Sequence, residues 1–191
     1  MGPFLETERM ALRPFTADDT DQLVDLDGDP EVMRYISGGR PTPRDTVRTV
    51  QLPRLLHRHP GTGTHGFWAA EIKETRTFLG WFEFRPLTDD SSAVVELGYR
   101  LRRAAWGHGY ATEGSRALID KGFTELGVER VTANTMAVNA GSRRVMEKSG
   151  LKYVRTYFGD WPETIAGSEH GEVEYALTKS EWEREAPRHA G

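Results

Sequence analysis

A glycine-rich turn between a predicted strand and a predicted helix places the strongest constraint on the fold of this chain. The turn has the sequence WGHGYATEG over residues 106–114. It follows residues 94–101, whose alternation is typical of a strand, and it leads into residues 115–126, whose apolar positions repeat with the helical period. Small residues leave the backbone N–H groups of such a turn uncovered, and the helix N-terminus adds unsatisfied donors and a positive dipole end. The turn is therefore predicted to bind a phosphate or pyrophosphate group.

The composition excludes several classes of partner and chemistry. The 191 residues include 25 Lys and Arg against 29 Asp and Glu, a net charge of −4, so no basic field is available to attract nucleic acid. The absence of cysteine excludes disulfides, thiolate metal ligands and cysteine nucleophiles. There is no apolar signal core at the N-terminus and no apolar run of membrane-spanning length. We therefore expect a soluble, cytoplasmic protein without a membrane or nucleic-acid partner.

The order of predicted elements indicates a single α+β domain over residues 1–191, with a charged tail at about 183–191 that is expected to fray. Closely spaced strands favour antiparallel pairing, whereas a strand, crossover helix and strand over residues 94–136 imply one parallel pair. The predicted strands cover residues 5–12, 66–72, 77–84, 94–101, 130–136, 151–158 and 173–177. The predicted helices start near residues 16, 29 and 42 and cover 115–126 and 140–149, with an irregularity at Pro53.

Two other interpretations of sequence motifs are weaker. Thr112 stands where a G-x-G-x-x-G dinucleotide fingerprint requires its third glycine, and the turn lies too late in the chain for the usual βαβ unit. An oxidoreductase with a nucleotide cofactor therefore remains only an alternative. The three histidines of residues 57–65 lie in a segment with loop composition and no neighbouring carboxylate, which favours a solvated loop over a metal site.

Five segments together resemble the GCN5-related N-acetyltransferase (GNAT) superfamily. The pyrophosphate loop of that family reads Arg/Gln-x-x-Gly-x-Gly/Ala, and Gly109 and Ala111 match its two small positions. Trp106 replaces the Arg or Gln, which is similar to the ribosomal-protein N-acetyltransferase branch of RimJ/RimL type. The other segments are LETERMALRP from residue 5, DPEVMRYI from 29, ELGY from 96 and NAGSRRVMEKSGL from 139.

The resemblance implies a GNAT fold, in which a mixed, mostly antiparallel sheet is splayed at the acetyl-CoA site and flanked by helices. It also implies that backbone amides of the turn hold the pyrophosphate of acetyl-CoA, while pantetheine lies beside the end of the preceding strand. The acetyl-CoA-binding residues carried over are Leu101, Arg102, Arg103, Gly107, His108, Gly109, Tyr110, Ala111, Thr112 and Asn139. The plainer alternatives are a tight turn without a ligand and, for the two arginines, a solvated basic surface.

Glu96 and Ser142 are the candidate catalytic residues. An amine arrives largely as ammonium and must lose a proton, so Glu96 is a candidate general base; the alternative is a salt bridge to Arg100 or a neighbouring strand. By the resemblance, Ser142 lies near the CoA sulfur, although Asn139 and Ser142 also suit the cap of a helix. Many members of the family have a proton-donating Tyr where this chain has Met146. Tyr99, His170 and Glu172 are weaker candidates.

The leading hypothesis is acetyl transfer from acetyl-CoA to a primary amine by direct attack in a ternary complex, with no metal. The alternative is a non-catalytic sensor or interaction module that binds acyl-CoA. The acceptor is a protein N-terminal amine or a small amine such as an aminoglycoside, and the acidic balance favours a cationic one. The segments that select it, roughly residues 18–65 and 158–171, carry no decisive motif. Dimers are common in the branch that the chain resembles, which leaves a homodimer open.

Overall fold

The structure is a computed structural model that describes residues 2–185, and a sheet of eight strands forms its centre. The strands are β1 (Leu5–Glu6), β2 (Met10–Arg13), β3 (Phe67–Ile72), β4 (Phe78–Thr88), β5 (Ser91–Leu101), β6 (Arg130–Met136), β7 (Lys152–Tyr157) and β8 (Glu172–Thr178). The helices are α1 (Thr20–Asp27), α2 (Arg34–Ser37), α3 (Arg44–Thr46), α4 (Leu52–Leu56), α5 (Tyr110–Glu125), α6 (Ala140–Lys148) and α7 (Lys179–Glu185).

The sheet is mixed and mostly antiparallel, in the order β1-β2-β3-β4-β5-β6-β8-β7. Strand β5 pairs with β6 in parallel, and the other neighbouring strands of the described chain pair antiparallel. The parallel pair is joined by α5, because a parallel connection needs a crossover rather than a hairpin. These features confirm the predicted α+β class and the predicted crossover.

Side chains pack on both faces of the sheet. Helices α5 and α6 cover one face, where Leu118 and Met146 pack with Leu97 and Leu101 of β5. Helices α1 to α4 cover the opposite face, where Leu23, Val47 and Leu55 pack with Phe67 and Trp81. Alternation along the strands distributes the apolar residues between these two layers. Each strand of the centre is therefore buried on both sides.

Several predicted boundaries were wrong, including those of the first strand, of the helix after the glycine turn and of the C-terminal tail. The first strand is divided into β1 and β2, because Thr7 Oγ1 accepts a hydrogen bond from the Met10 N–H at 2.9 Å and closes a turn between them. Helix α5 begins at Tyr110 rather than at residue 115, since Gly109 at its N-cap already ends the turn. Residues 183–185 of the expected tail belong to α7, and Glu185 pairs with Lys152 at 3.0 Å. Residues 186–191 lie outside the described residues.

The irregularity predicted at Pro53 is a π-helical turn, Val47–Gln51, between α3 and α4. Proline has no N–H to donate to the preceding helical turn, so the helix cannot continue unperturbed through it. In the helix before Pro53, the Leu52 N–H donates to the Val47 carbonyl, which is the wider spacing of a π-turn.

The histidine-containing loop is more ordered than its composition suggests. His59 is buried, its Nε2 lies 2.8 Å from the Thr88 carbonyl oxygen, and its Nδ1 accepts from the Gly61 N–H at 3.2 Å. These contacts bind the loop to the end of β4. Within residues 2–185, no group of three or more His, Asp or Glu is placed to hold a metal ion. No helix in that part of the chain is long and apolar enough to cross a membrane.

Candidate active site

The sheet opens between β5 and β6, as the resemblance implied. The two strands pair only from Val94 to Glu96, and β5 then continues to Leu101 without β6 beside it. The Arg102 N–H donates to the Leu79 carbonyl at 2.7 Å, on the β4 side. Because backbone groups alternate along a strand, those of Tyr99 and Leu101 point toward the gap. A ligand that adds to this edge would therefore meet Tyr99 and Leu101 rather than the amide of Arg102.

The glycine turn lies directly after this free edge. Gly107 and Gly109 have φ angles of 77° and 81°, in the left-handed region that glycine adopts most easily. Gly109 is the N-cap of the 16-residue helix α5, and no side chain caps that helix. None of the hydrogen bonds found within residues 2–185 uses the backbone N–H groups of residues 107–112. The turn therefore presents free donors at a helix N-terminus, which is a favourable site for a pyrophosphate.

The β1–β2 turn holds the first turn of α5. Glu113 accepts from Thr7 Oγ1 at 2.7 Å and from Arg9 Nε at 2.8 Å. Burial alone would raise the pKa of Glu113, but these hydrogen bonds outweigh it and the pKa is lowered. The Arg9 guanidinium also lies 4.1 Å from the centre of the Tyr110 ring. No local sequence pattern indicates these contacts, because they join residues more than a hundred positions apart.

The aromatic and basic residues at the end of β5 are already engaged. Trp106, which replaces the family's Arg or Gln, donates from Nε1 to the Leu101 carbonyl at 2.9 Å and so connects the turn to the strand. Arg103 forms two hydrogen bonds with Asp29, at 3.0 and 2.6 Å. Arg102 donates to the Phe78 carbonyl at 3.3 Å. The contacts of both arginines with acetyl-CoA remain predictions. Each arginine side chain would have to bond acetyl-CoA in addition to the partner that it already has.

Asn139 and Ser142 lie at the N-terminus of α6, on one side of the gap. The Asn139 Oδ1 accepts from the Ser142 N–H at 3.2 Å, which is the expected N-cap. The Ser142 Oγ lies 3.0 Å from the hydroxyl of Tyr99 on β5. Burial raises the pKa of Tyr99 to about 12. Met146 is buried in the core, so this chain has no proton donor at that position.

Glu96 points to the other face of the sheet and forms an ion pair with a neighbouring strand. Its Oε2 lies 3.0 Å from Nη2 of Arg85 on β4, and the Arg85 Nε also donates to Glu83 at 2.9 Å. Burial, together with the charge of Glu96, raises the pKa of Glu83. Arg100 instead pairs with the buried Asp27 at 2.8 Å. The sequence left two ion pairs open for Glu96, one with Arg100 and one with a neighbouring strand. The structure has the second of these.

A groove opens on the same side as Glu96, where α2 approaches the segment before β8. It has a volume of about 1030 Å³, and it is bordered by Tyr35, Val138 and His170 and by an exposed ion pair between Arg40 and Glu163. A chain of hydrogen bonds connects β7 to Glu96: the Tyr157 hydroxyl donates to Asn134 Oδ1 at 3.0 Å, and Asn134 Nδ2 lies 3.5 Å from Glu96 Oε1. Burial raises the pKa of the nearby Glu172.

The parallel strand pair opens beside a helix N-terminus. A carboxylate lies on one face of the opening and a pair of hydroxyl groups on the other. This arrangement is suited to acyl transfer from a thioester of CoA. The model of the family described as "Acetyltransferase (GNAT) domain" matches residues 9–152. The chain belongs to this family and is an acetyl-CoA-dependent N-acetyltransferase. The matched range ends at the start of β7, so it leaves out β8 and the segment that borders the groove.

Three known proteins illustrate the similarity. The chain is 36% identical over 191 residues to an FsC-acetyl coenzyme A-N(2)-transacetylase of Aspergillus fumigatus, covering 95% of this chain and 79% of that protein. A spermidine N-acetyltransferase of Vibrio cholerae, solved with CoA and spermine, superimposes with a TM-score of 0.73 at 14% identity, over 91% and 98% of the chains. The aminoglycoside acetyltransferase AAC(6')-Ib with coenzyme A superimposes with a TM-score of 0.69 at 18% identity, over 92% and 98%. The two structures establish the shared fold, which confirms the predicted GNAT architecture.

Proposed function

We propose that this N-acetyltransferase transfers the acetyl group of acetyl-CoA to a primary amine of a small cationic acceptor. The observation that carries the proposal is that Glu96 and Glu172 lie on one face of the sheet beside the gap, with the guanidinium of Arg85 shared between Glu96 and the buried Glu83. Such a surface favours an ammonium group. The relative from A. fumigatus is named as an N(2)-transacetylase, and the two enzymes with similar folds are named for spermidine and for aminoglycosides, which is consistent with a small amine as the acceptor.

In this proposal, acetyl-CoA is bound by the N–H groups of residues 107–112 and by the free edge of β5. Glu96 receives a proton from the acceptor ammonium, directly or through water, and the neutral amine then attacks the acetyl carbonyl. A gap-facing N–H of Tyr99 or Leu101 stabilises the oxyanion. The C–S bond breaks with its electron pair on sulfur, and the Ser142 hydroxyl donates a hydrogen bond to the departing thiolate. The acetylated amine loses its second proton to solvent.

The location of the candidate residues supports direct transfer. Glu96 and Tyr99 are three positions apart on β5, so their side chains lie on opposite faces of the sheet. An acceptor in the groove would therefore approach the thioester from the Glu96 side, while the sulfur would leave on the side of Tyr99 and Ser142. The acceptor amine and the departing sulfur would therefore lie on different sides of the thioester, and no covalent enzyme intermediate is needed.

A protein N-terminal amine is the second candidate acceptor. The motifs shared with the RimJ/RimL-type branch, Trp106 among them, favour it. The open groove of about 1030 Å³ also has room for an extended N-terminal segment. We keep the homodimer of that branch and the cytoplasmic location as predictions.

The test is release of free CoA thiol from acetyl-CoA in the presence of polyamines, aminoglycosides and N-terminal peptides. We expect release with small cationic amines, and Glu96→Gln should lower kcat by at least about a hundredfold. Glu125→Gln, which changes an exposed carboxylate on α5, is the matched control and should leave kcat unchanged. Release with peptides alone would favour the second acceptor. Binding of acetyl-CoA without release for any amine would support the non-catalytic alternative.

A further inference from the structure

The hydroxyl of Tyr99 contacts two atoms of a single residue. It lies 3.0 Å from Ser142 Oγ and donates toward the Ser142 carbonyl oxygen, also at 3.0 Å. Its ring is partly buried beside Phe82, with 6.3 Å between the ring centres. No other hydrogen bond to Ser142 Oγ is found within residues 2–185. The orientation of the Ser142 hydroxyl therefore depends on Tyr99.

A phenol has one proton, so it satisfies these two acceptors in alternative ways. When Tyr99 donates to the Ser142 carbonyl, the Ser142 hydroxyl has the phenol oxygen as its acceptor. When Tyr99 donates to Oγ, the Ser142 proton is free to point to another acceptor. The second arrangement is the productive one for a departing thiolate, because consecutive hydrogen bonds in one direction strengthen each other.

We propose that Tyr99 is a positioning residue that directs the Ser142 hydroxyl toward the sulfur of CoA. The proposal rests on the proposed function, since it assigns Ser142 to the side from which the thiolate leaves. As the C–S bond breaks, the electron pair remains on sulfur, Ser142 donates a hydrogen bond to it, and Tyr99 donates to Ser142. Neither hydroxyl loses its proton, and the released thiolate takes its proton from solvent.

Two features of the molecule support this role. The high pKa of Tyr99, about 12, keeps the phenol protonated while a thiol of ordinary pKa near 8.5 ionises. The buried Met146 also leaves the α6 side of the gap without the proton donor that many family members have. The pair Tyr99–Ser142 supplies hydrogen bonding there from two different elements, β5 and α6.

The kinetic test is a double-mutant cycle with Tyr99→Phe and Ser142→Ala, measured by single-turnover release of CoA thiol. Tyr99→Phe should lower the rate about tenfold, because a tenfold effect corresponds to the free energy of roughly one hydrogen bond. The KM for acetyl-CoA should remain within about twofold of the wild-type value. In the Ser142→Ala background, the same substitution should have no further effect. Equal losses in both backgrounds, or an unchanged rate for Tyr99→Phe, would overturn the proposal.

A second measurement does not depend on turnover. The thiolate absorbance of bound CoA, titrated with pH, should show a lower thiol pKa in the wild type than in Tyr99→Phe, by about one unit for a tenfold effect. The difference should vanish in the Ser142→Ala background. Tyr153→Phe, which removes an exposed hydroxyl on β7, is the control and should match the wild type. Identical titrations of wild type and Tyr99→Phe would exclude the role even if no amine acceptor were found, whereas a shifted titration without turnover would count against the proposed function only.

Discussion

At the scale of single residues, the Glu83–Arg85–Glu96 cluster connects the core to the site. Glu83 has room beneath Gly98, where an added Cβ would lie 2.7 Å from Glu83 Oε1. Arg85 bonds both carboxylates, so it holds Glu96 in place while it compensates part of the cost of burying Glu83. The register of β4 on β5 sets these contacts, because Glu83 lies opposite Gly98 and Arg85 opposite Glu96.

Replacement of Glu83 by Gln should change how stability depends on pH. Burial, and then the charge of Glu96, raises the folded-state pKa of Glu83 above its unfolded value of about 4.5. A group of this kind contributes stability that is fully present below its unfolded pKa and is lost as the pH rises through the folded pKa. Urea denaturation at pH 4, 5, 6 and 7 should therefore show Glu83→Gln gaining stability relative to the wild type as the pH rises.

The control for this measurement is Glu125→Gln, because Glu125 is exposed on α5. Its stability relative to the wild type should remain nearly constant over the same range. A Glu83→Gln variant that loses stability relative to the wild type toward neutral pH would contradict the assigned direction of the pKa shift. Such a result would mean that the ion pair with Arg85 outweighs burial.

Residue-scale contacts could be predicted only where they are local in sequence. The Asn139 cap of α6 follows from its place three residues before Ser142, and the structure has that bond. The pairing of Glu96 with Arg85 depends on strand register, and the approach of Tyr99 to Ser142 depends on how α6 packs on β5. Neither register nor packing of distant elements has a local sequence pattern, so these contacts required the structure.

At the scale of elements, the turn before α5 is the part most directly suited to acetyl-CoA. Gly107 and Gly127 provide a matched comparison, because their φ angles are 77° and 71° and neither has an atom within 4 Å of an added Cβ. An L residue in this conformation costs about 1 kcal/mol or slightly more. Gly107 lies among the free N–H donors, whereas Gly127 lies at the opposite end of α5.

We expect Gly107→Ala and Gly127→Ala to lower the free energy of unfolding by similar amounts, about 1 kcal/mol each. Only Gly107→Ala should weaken the binding of acetyl-CoA, by about tenfold in Kd, because relief of the strain redirects the N–H groups that we propose to hold the pyrophosphate. Calorimetric titration with acetyl-CoA and urea denaturation measure the two effects separately. An equal loss of affinity in both variants would show that the turn acts only through stability.

The element pattern was largely predictable because its causes are local. Periodicity and turn residues located the crossover strands and α6 to within a few residues, and Gly150 ends α6 as expected. The division of the first strand was not predicted, because the Thr7 bond to Met10 replaces an ordinary strand step. The connection from Thr7 and Arg9 to Glu113 is a tertiary contact, and no short motif encodes it.

At the scale of the whole molecule, the gap follows from how the sheet distributes its pairings. Strand β5 pairs with β4 along nearly its full length, and β6 pairs with β8 from Arg130 to Met136. Only three residues of β5 pair with β6, so the opening lies between two well-paired halves of the sheet. The order of predicted elements implied the parallel pair, but the length of its pairing depends on the whole sheet.

Amide hydrogen exchange, followed by NMR with and without acetyl-CoA, tests the proposed acetyl-CoA site most directly. Acetyl-CoA should slow exchange at Tyr99, Leu101 and the amides of residues 107–112, whose N–H groups face the gap or are free at the turn. Arg102, which already donates to Leu79, should change little. Protection that is absent from the turn, or that appears at Arg102 and not at Tyr99 and Leu101, would contradict the assignment of this opening as the acetyl-CoA site.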